Sequence, residues 1–339
     1  MGKKILVTGG TGYIGSHTAV ELINKGYEVV IADNLSNSFI SVVDAIEKIT
    51  SVRPHFIKTE LTDAGQAKSL FDANKDICGV IHFAAKKAVG ESVEKPLMYY
   101  HNNLFSLINI LQCMQEFGIN NLVFSSSCTV YGQPELLPVK EDSPIQPAMS
   151  PYGNTKQISE EMIKDKATIS DLKSSLLRYF NPIGAHDSAL IGELPIGIPN
   201  NLVPFITQTA IGKREFLRVF GNDYNTPDGS CIRDYIHVVD LAKAHIIALE
   251  RMLNNNNKQA VEVFNIGTGK GHSVLEVIKT FEKASAVRLN YKFAPRRAGD
   301  IEQIWADTTY AQNELGWRAE KNLYDMVASA WKWEQHLKS

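Results

Sequence analysis

The strongest constraint on what this chain can fold into is a glycine-rich turn near its start, set between an apolar run and a helical pattern. Lys4-Ile5-Leu6-Val7 is short and β-favouring. Thr8-Gly9-Gly10-Thr11-Gly12-Tyr13-Ile14-Gly15 follows at once, and a helical pattern runs over 12–25. Gly10, Gly12 and Gly15 match G-x-G-x-x-G, while Gly9, Gly12 and Gly15 match the looser G-x-x-G-x-x-G. Glycines so spaced permit a tight turn, close approach of backbone to a pyrophosphate, and close packing of helix on strand. The amide groups and dipole at the helix start favour a phosphate charge. A second strand-like run, 28–32, ends in Asp33, eighteen residues beyond Gly15 and near the spacing expected of a ribose-binding acid. A carboxylate there can accept from both ribose hydroxyls and would repel a 2′-phosphate, which favours NAD over NADP. The same side chain could instead cap the loop Asn34-Leu35-Ser36-Asn37.

Up to about residue 180, strand and helix patterns alternate. Strands are expected at 4–8, 28–32, 54–58, 79–83, 121–126 and 173–179, and helices notably at 12–25, 64–74, 92–116 and 150–168. That alternation predicts an α/β fold built on a doubly wound parallel Rossmann sheet, with helices on both faces. Ligands of such sheets sit at the carboxyl ends of the strands, where Gly10, Asp33, Phe83, Ser125 and Tyr179 would gather. Beyond Asn181 the texture changes. Prolines and glycines crowd 182–204, followed by a helix near 202–212, strands near 216–220 and 262–266, and helices near 238–253, 273–284 and 323–337. With 339 residues available, the expected organisation is a dinucleotide-binding domain over 1–180 and a smaller C-terminal substrate-binding lobe over 181–339. Some segments of the lobe are expected to return to the first domain.

A formal charge of −2 argues against a general nucleic-acid or membrane-surface binder. There is no apolar run long enough to span a bilayer, and neither a signal peptide nor a basic amphipathic leader is expected. Cys78, Cys113, Cys128 and Cys231 are scattered with no C-x-x-C, so free thiols in a reducing cytoplasm and no metal site are expected. The polar tract Asn254-Asn255-Asn256-Asn257 reads as a solvated loop that ends a helix.

Tyr152 and Lys156 stand four apart, on one helix face and one turn from each other. A phenol titrates near pH 10 and is a poor base at neutrality. An ammonium beside it favours the phenolate by charge and hydrogen bonding. The pair has the form of an acid/base device, although the same spacing also arises by chance on helix surfaces.

Taken together, the 8–15 turn, Ser125-Ser126-Ser127 before Val130-Tyr131-Gly132, and Tyr152 with Lys156 resemble the extended short-chain dehydrogenase/reductase family. Within it, further blocks are similar to the UDP-glucose 4-epimerases: His82-Phe83-Ala84-Ala85-Lys86-Lys87-Ala88-Val89-Gly90-Glu91-Ser92, Leu177-Arg178-Tyr179-Phe180-Asn181-Pro182, Arg233-Asp234-Tyr235-Ile236-His237 and Ala294-Pro295-Arg296-Arg297-Ala298-Gly299-Asp300. The likeness covers essentially the whole chain, in order.

The resemblance implies NAD as cofactor, a UDP-hexose as substrate and a homodimer formed through the helices at 92–116 and 150–168. It implies that Tyr152, as phenolate, takes the proton of the sugar 4-hydroxyl while hydride passes from C4 to NAD. Lys156 would lower the tyrosine pKa and bind the nicotinamide ribose, and Ser127 would hydrogen-bond the 4-oxygen as charge develops. The 4-keto sugar would turn within the site and be reduced on its other face, interconverting UDP-glucose and UDP-galactose without net redox change.

Around the cofactor the family pattern places Gly9, Gly12, Tyr13, Ile14, Gly15, Asp33 and Asn34 from the first βαβ stretch. Further along it places Glu60, Leu61, Phe83, Ala84, Lys87, Asn102 and Tyr179 there, together with Tyr152 and Lys156. Around the nucleotide-sugar, Arg233 and Arg297 would grip the diphosphate with guanidinium forks. Asn181 and Asn201 would meet the sugar–phosphate portion, and Phe220 and Asp300 the uridine. Ser127, Leu202, Tyr235 and Ile304 complete that set.

Two residues depart from the pattern. Glu60 replaces a frequent Asp expected to meet the adenine amino group, which keeps the acceptor on a longer arm. Ile304 stands where members restricted to plain hexoses carry a bulky aromatic, so UDP-GlcNAc and UDP-GalNAc are expected as additional substrates. A nucleotide-sugar 4,6-dehydratase shares the scaffold but carries Thr-Asp-Glu where this chain has Ser127-Cys128-Thr129, and without that carboxylate elimination lacks its proton shuttle. A dissociable NAD-dependent dehydrogenase would release NADH. A non-catalytic NAD sensor would have no use for Ser127, Tyr152 and Lys156 together.

Overall fold

The computed structural model describes residues 2–297 and 300–338. Strands fall in chain order as β1 Lys4–Thr8, β2 Glu28–Asp33, β3 His55–Lys58, β4 Ile77–His82, β5 Asn121–Ser127, β6 Lys173–Tyr179, β7 Asn181–Ile183, β8 Leu217–Phe220, β9 Ile232–His237, β10 Val261–Ile266, β11 Gly271–Ser273, β12 Tyr291–Ala294 and β13 Gln303–Ile304. The helices are α1 Tyr13–Asn24, α2 Ser41–Thr50, α3 Ala64–Asp72, α4 Val89–Glu94, α5 Pro96–Glu116, α6 Pro151–Thr168, α7 Leu202–Ala210, α8 Val238–Leu253, α9 Val274–Ser285, α10 Thr309–Leu315 and α11 Leu323–His336.

The chain divides into two compact units. The first comprises Met1–Gly132, Pro144–Tyr179 and Ala242–Phe264, and the second Gln133–Ser143, Phe180–Leu241 and Asn265–Ser339. The first unit is organised by a seven-stranded sheet of order β10-β6-β5-β4-β1-β2-β3, in which β1 to β6 run parallel. Strand order reverses at β1, which pairs with β2 on one side and β4 on the other, and this is where a doubly wound sheet opens its crevice. Ile5, Leu6, Val7, Val80 and Ile81 are fully buried, as strands covered on both faces require. The sheet's carboxyl edge therefore brings the ends of β1, β2, β4, β5 and β6 to one side of the unit.

The helical stretch expected at 92–116 is two helices, α4 and α5. Pro96 is the first residue of α5, and its ring forces Lys95 out of the helical region, to φ −129° and ψ 57°. The second unit gathers β9 between β11, β7 and β13, and buries Val203, Ile206, Leu217, Tyr235, Ile278, Phe281 and Met326 in one core. Two of its helices are capped by their own sequence. Ser273 with Glu276 starts α9, and Asn322 with Asp325 starts α11, each as a reciprocal capping box.

Candidate active site

The turn after β1 shows why glycine is needed there. Gly9 holds φ +67°, and a Cβ on it would lie 2.9 Å from the Ala84 nitrogen. On Gly15 a Cβ would lie 2.3 Å from the Gly9 carbonyl oxygen, so helix and turn pack backbone to backbone. Gly12 precedes α1 and supplies no side-chain cap, and α1 has no acidic residue in its first turn. The amides of Tyr13 and Ile14 head this helix, where first-turn N–H groups find no acceptor within the helix itself. A diphosphate suits that end by charge and by hydrogen bonding, and an uncapped helix behind a glycine cradle fits a dinucleotide.

Asp33 closes β2 and ties its own loop. Oδ1 accepts from the Leu35 amide at 2.9 Å and the Ser38 hydroxyl at 3.2 Å, and Oδ2 accepts from the Thr11 amide at 3.3 Å. The loop-capping role weighed for Asp33 is thus present, and it also anchors the glycine turn. Asn34 donates to Glu60 at 2.8 Å, and Glu60 further accepts from the amide and hydroxyl of Thr62. Burial opposes ionisation of Glu60, but these donors outweigh it and hold the pKa below its ordinary value. Leu61 is buried beside it, its carbonyl accepting from Asn109.

On the other side of β1, Thr8 accepts from the Ala84 amide at 3.3 Å and pairs with the buried His82 ring at 2.8 Å, while Phe83 N–H donates to the Thr8 carbonyl. Phe83 packs against His245, whose ring also faces Tyr179. Lys87 extends over the Tyr13 ring at 5.8 Å. Asn102 donates to Asn103, and Asn103 in turn binds both backbone groups of Lys86 and the Thr155 hydroxyl. Every cofactor position expected from sequence therefore lies in this first unit.

The reacting groups stand on α6 and β5. Ser150 caps α6 by accepting from the Gly153 amide at 3.1 Å, and Pro151 starts it, which sets Tyr152 and Lys156 on the inward face. Both are buried, and the Tyr152 phenol is hydrogen-bonded to the Ser127 side chain. Lys156 Nζ donates to the Ser125 carbonyl at 2.6 Å, lies 4.9 Å from the Phe124 ring centre and 5.9 Å from that of Tyr152. Burial pushes Lys156 down to about 8, opposed by the Glu160 carboxylate. For Tyr152, burial dominates and raises the pKa well above the ordinary phenol value, with the Ser127 hydrogen bond pulling the other way. Burial outweighs the expected depression by Lys156, whose ammonium donates to the Ser125 carbonyl. Tyr179, hydrogen-bonded to the Ser125 hydroxyl, is pushed up to about 12 by burial. Cys128 is half-buried and in no disulfide.

The second unit assembles the residues expected at the nucleotide-sugar. Arg297 Nε and Nη2 each donate to an Asp300 carboxylate oxygen at 3.0 Å, and its guanidinium stacks 4.8 Å over Phe220. Ala298 and Gly299 of that block lie outside the described residues. Arg233 donates to the Ile232 carbonyl at 2.8 Å and stands in register with Ile304, which is 2% exposed. Asn181 is in register with Tyr235, whose ring belongs to the core of this unit. Asn201 precedes α7 without capping it and donates instead to Glu193 at 2.5 Å, and Leu202 opens that helix.

Two buried carboxylates escaped the sequence reading. Asp234 is fully buried and accepts from Thr268 (amide and hydroxyl), the Gly269 amide and the Ala306 amide. Glu160 lies four residues beyond Lys156, so the same helical spacing that marked Tyr152 and Lys156 reaches it. Among the described residues no group of three or more His, Cys, Asp or Glu side chains could hold a metal ion, and no helix is long and apolar enough to cross a membrane.

The family model described as GDP-mannose 4,6 dehydratase matches residues 6–330. The UDP-glucose 4-epimerase of Bacillus subtilis is 52% identical over 331 residues, covering 97% of this chain and 96% of that protein. Among solved structures, the UDP-glucose 4-epimerase of Stenotrophomonas maltophila, with bound NAD and formylated UDP-arabinopyranose, superposes with a TM-score of 0.95 at 47% identity, over 99% of both chains. The UDP-glucose 4-epimerase of Bifidobacterium longum, in complex with NAD+ and UDP, does so with a TM-score of 0.94 at 45% identity, over 98% of both.

Proposed function

The chain belongs to the UDP-glucose 4-epimerases of the extended short-chain dehydrogenase/reductase family, and on that footing we propose how its own residues perform the reaction. It is an NAD-dependent isomerase that interconverts UDP-glucose and UDP-galactose through a 4-keto sugar. The observation that carries the residue assignment is Tyr152 hydrogen-bonded to Ser127 and one helical turn from a buried Lys156. No carboxylate follows Ser127, where Cys128 and Thr129 stand, so the elimination chemistry named in the family model's description lacks its acid here.

The glycine turn and the α1 amides hold the cofactor diphosphate, Asp33 and Asn34 its ribose side, and Glu60 its adenine side. NAD, when bound, supplies the hydride acceptor and donor for the sugar C4, and its pyridinium charge favours a phenolate nearby. Tyr152 Oη takes the 4-hydroxyl proton and returns it after the sugar has turned. Ser127 donates to the 4-oxygen, a hydrogen bond that strengthens as charge develops there. Lys156, held as an ammonium on the Ser125 carbonyl, stabilises the anionic tyrosine and orients the nicotinamide ribose. In the second unit Arg233 and Arg297 meet the diphosphate; Arg297 keeps N–H donors beyond the two it gives Asp300. Its stack on Phe220 holds the planar fork in place.

Three finer readings accompany this assignment. Ile304, smaller than an aromatic, supports acceptance of UDP-GlcNAc and UDP-GalNAc. Exposed apolar side chains on α5, Leu97 at 80% and Phe105 at 49%, support a homodimer through α5 and α6, measurable by sedimentation equilibrium. The four cysteines, none of them in a disulfide, support a cytoplasmic home.

The test of the whole uses purified protein with UDP-galactose and no added cofactor, resolving the two UDP-hexoses by chromatography while following the NADH absorbance band. Conversion without accumulating NADH is expected. No conversion, even with NAD supplied, sinks the reading.

A further inference from the structure

The face of α6 that carries Tyr152 and Lys156 continues one turn further to Glu160. Glu160 is 4% exposed and its partner Arg178 is 3% exposed. Arg178 Nε donates to Oε1 at 2.9 Å and Nη2 to Oε2 at 2.6 Å, and the Ser126 hydroxyl donates to Oε1 at 2.5 Å. Arg178 Nη1 donates to the Tyr131 hydroxyl at 3.0 Å, its guanidinium 4.9 Å over that ring. Taking both charges out of water is costly, and apolar residues of similar volume often serve stability as well or better. Stability is therefore a weak reason for an ion pair here. Its connections are more telling. Ser126 lies between Ser125, whose carbonyl holds Lys156, and Ser127, which binds Tyr152. Arg178 precedes Tyr179, whose hydroxyl meets Ser125.

We propose that Glu160 is a positioning residue for the Tyr152/Lys156 pair: pinned by Arg178 and Ser126, its carboxylate stands one helical turn beyond Lys156 and fixes the serine run that meets Tyr152. The kinetic arm of this proposal rests on the epimerase reading.

The groups facing Lys156 from each neighbouring element favour that role. On α6 they are Tyr152 and Glu160, and on β5 the Ser125 carbonyl and the Phe124 ring. From β6 come Tyr179 and Arg178, the latter committed to Glu160. From β4 comes His82, whose pKa is lowered to about 3 by burial first and by the Lys156 charge second, so the ring is neutral. From α5 comes Tyr99, which acts on Tyr152 and is hydrogen-bonded to Glu91 of α4. The Glu160 field is the one that opposes burial at Lys156. Lys164, 3.8 Å from Glu160, is half-exposed and screened by solvent.

The test follows the Lys156 ammonium by NMR in protein carrying ε-15N-lysine, its signal identified by loss in Lys156→Met, beside kcat against pH. In Glu160→Gln the titration midpoint is expected to fall by about one pH unit or more, as loss of a unit charge one helical turn away dictates. The alkaline limb of kcat should move with it, while Glu160→Asp, which keeps the charge, stays near wild type. Should Glu160→Gln fail to fold because it strands a buried guanidinium, Arg178→Gln, which leaves the Glu160 charge unopposed, is expected to move the midpoint up instead. A midpoint that stays put in either folded variant overturns the proposal, whatever happens to kcat. Wild-type protein that fails to convert UDP-galactose defeats the epimerase reading instead, and the NMR midpoint still decides the role of Glu160.

Discussion

Raising the pH through the range in which Lys156 loses its proton isolates the part that its charge plays. Burial brings its pKa down to about 8, with Glu160 pulling the other way. A group titrating there is about nine-tenths ammonium at pH 7 and about one-tenth at pH 9. If the ammonium is the working form, kcat falls roughly tenfold between those two values and about tenfold more for each further unit. The sign separates this from titration of the base itself. Tyr152, raised by burial, becomes more available as phenolate when pH rises, so its ionisation alone would increase the rate. The assay is the initial rate of UDP-galactose conversion at saturating sugar and fixed ionic strength, with cofactor content checked at each pH. Lys156→Arg supplies the control, because a guanidinium keeps its charge throughout. Whatever its absolute rate, its alkaline limb should be flat. A wild-type kcat unchanged from pH 7 to about 9, or the same decline in Lys156→Arg, would refute the argument.

Other expectations are simpler to state. Tyr152→Phe removes the proton carrier and should lower kcat by about 10²- to 10⁴-fold with cofactor content unchanged; a fall of less than tenfold would exclude Tyr152 as the base. Gly15→Ala places a Cβ 2.3 Å from the Gly9 oxygen and 2.8 Å from the Gly10 Cα, so the turn must shift and NAD should be lost on dialysis; calorimetric binding of NAD at wild-type strength would contradict this. Ile304→Ala should raise kcat/KM for UDP-GlcNAc while costing about 2–4 kcal/mol of stability for a side chain 2% exposed. Undetectable UDP-GlcNAc activity in that variant as well as in the parent would show that volume at this position is not what limits the sugar.

Features set by local backbone chemistry were legible in the sequence. The glycine turn, the acid ending β2 and the Tyr152/Lys156 spacing each depend on a few adjacent residues, and the alternation of strands and helices announced the parallel sheet. Less legible was whatever depends on partners distant in the chain. The short strands β7, β11 and β13 exist because β9 offers them edges, and three or two residues carry no periodicity of their own. Glu160 and Arg178 each look like surface charges until β6 and α6 bring them together. Asp33 was read for a ligand, yet its oxygens are also occupied with its own loop and with Thr11. The break at Lys95 was readable in principle, since Pro96 restricts its predecessor, but the apolar pattern runs through both helices and hides it.

The interleaved course of the chain has a consequence for biosynthesis. The first unit takes its final segment, Ala242–Phe264, from beyond the Phe180–Leu241 stretch of the second, and this segment supplies most of β10, the strand beside β6. A ribosome that has released only the first 180 residues has therefore produced a sheet whose β6 edge is bare, with every ladder group on that side unpaired. Such a nascent chain must wait for some eighty further residues before its sheet is closed by its own sequence. Translation speed through 181–241 thus sets how long that edge is open to chaperones or to another copy, and a fragment ending at residue 180 would carry the open edge permanently.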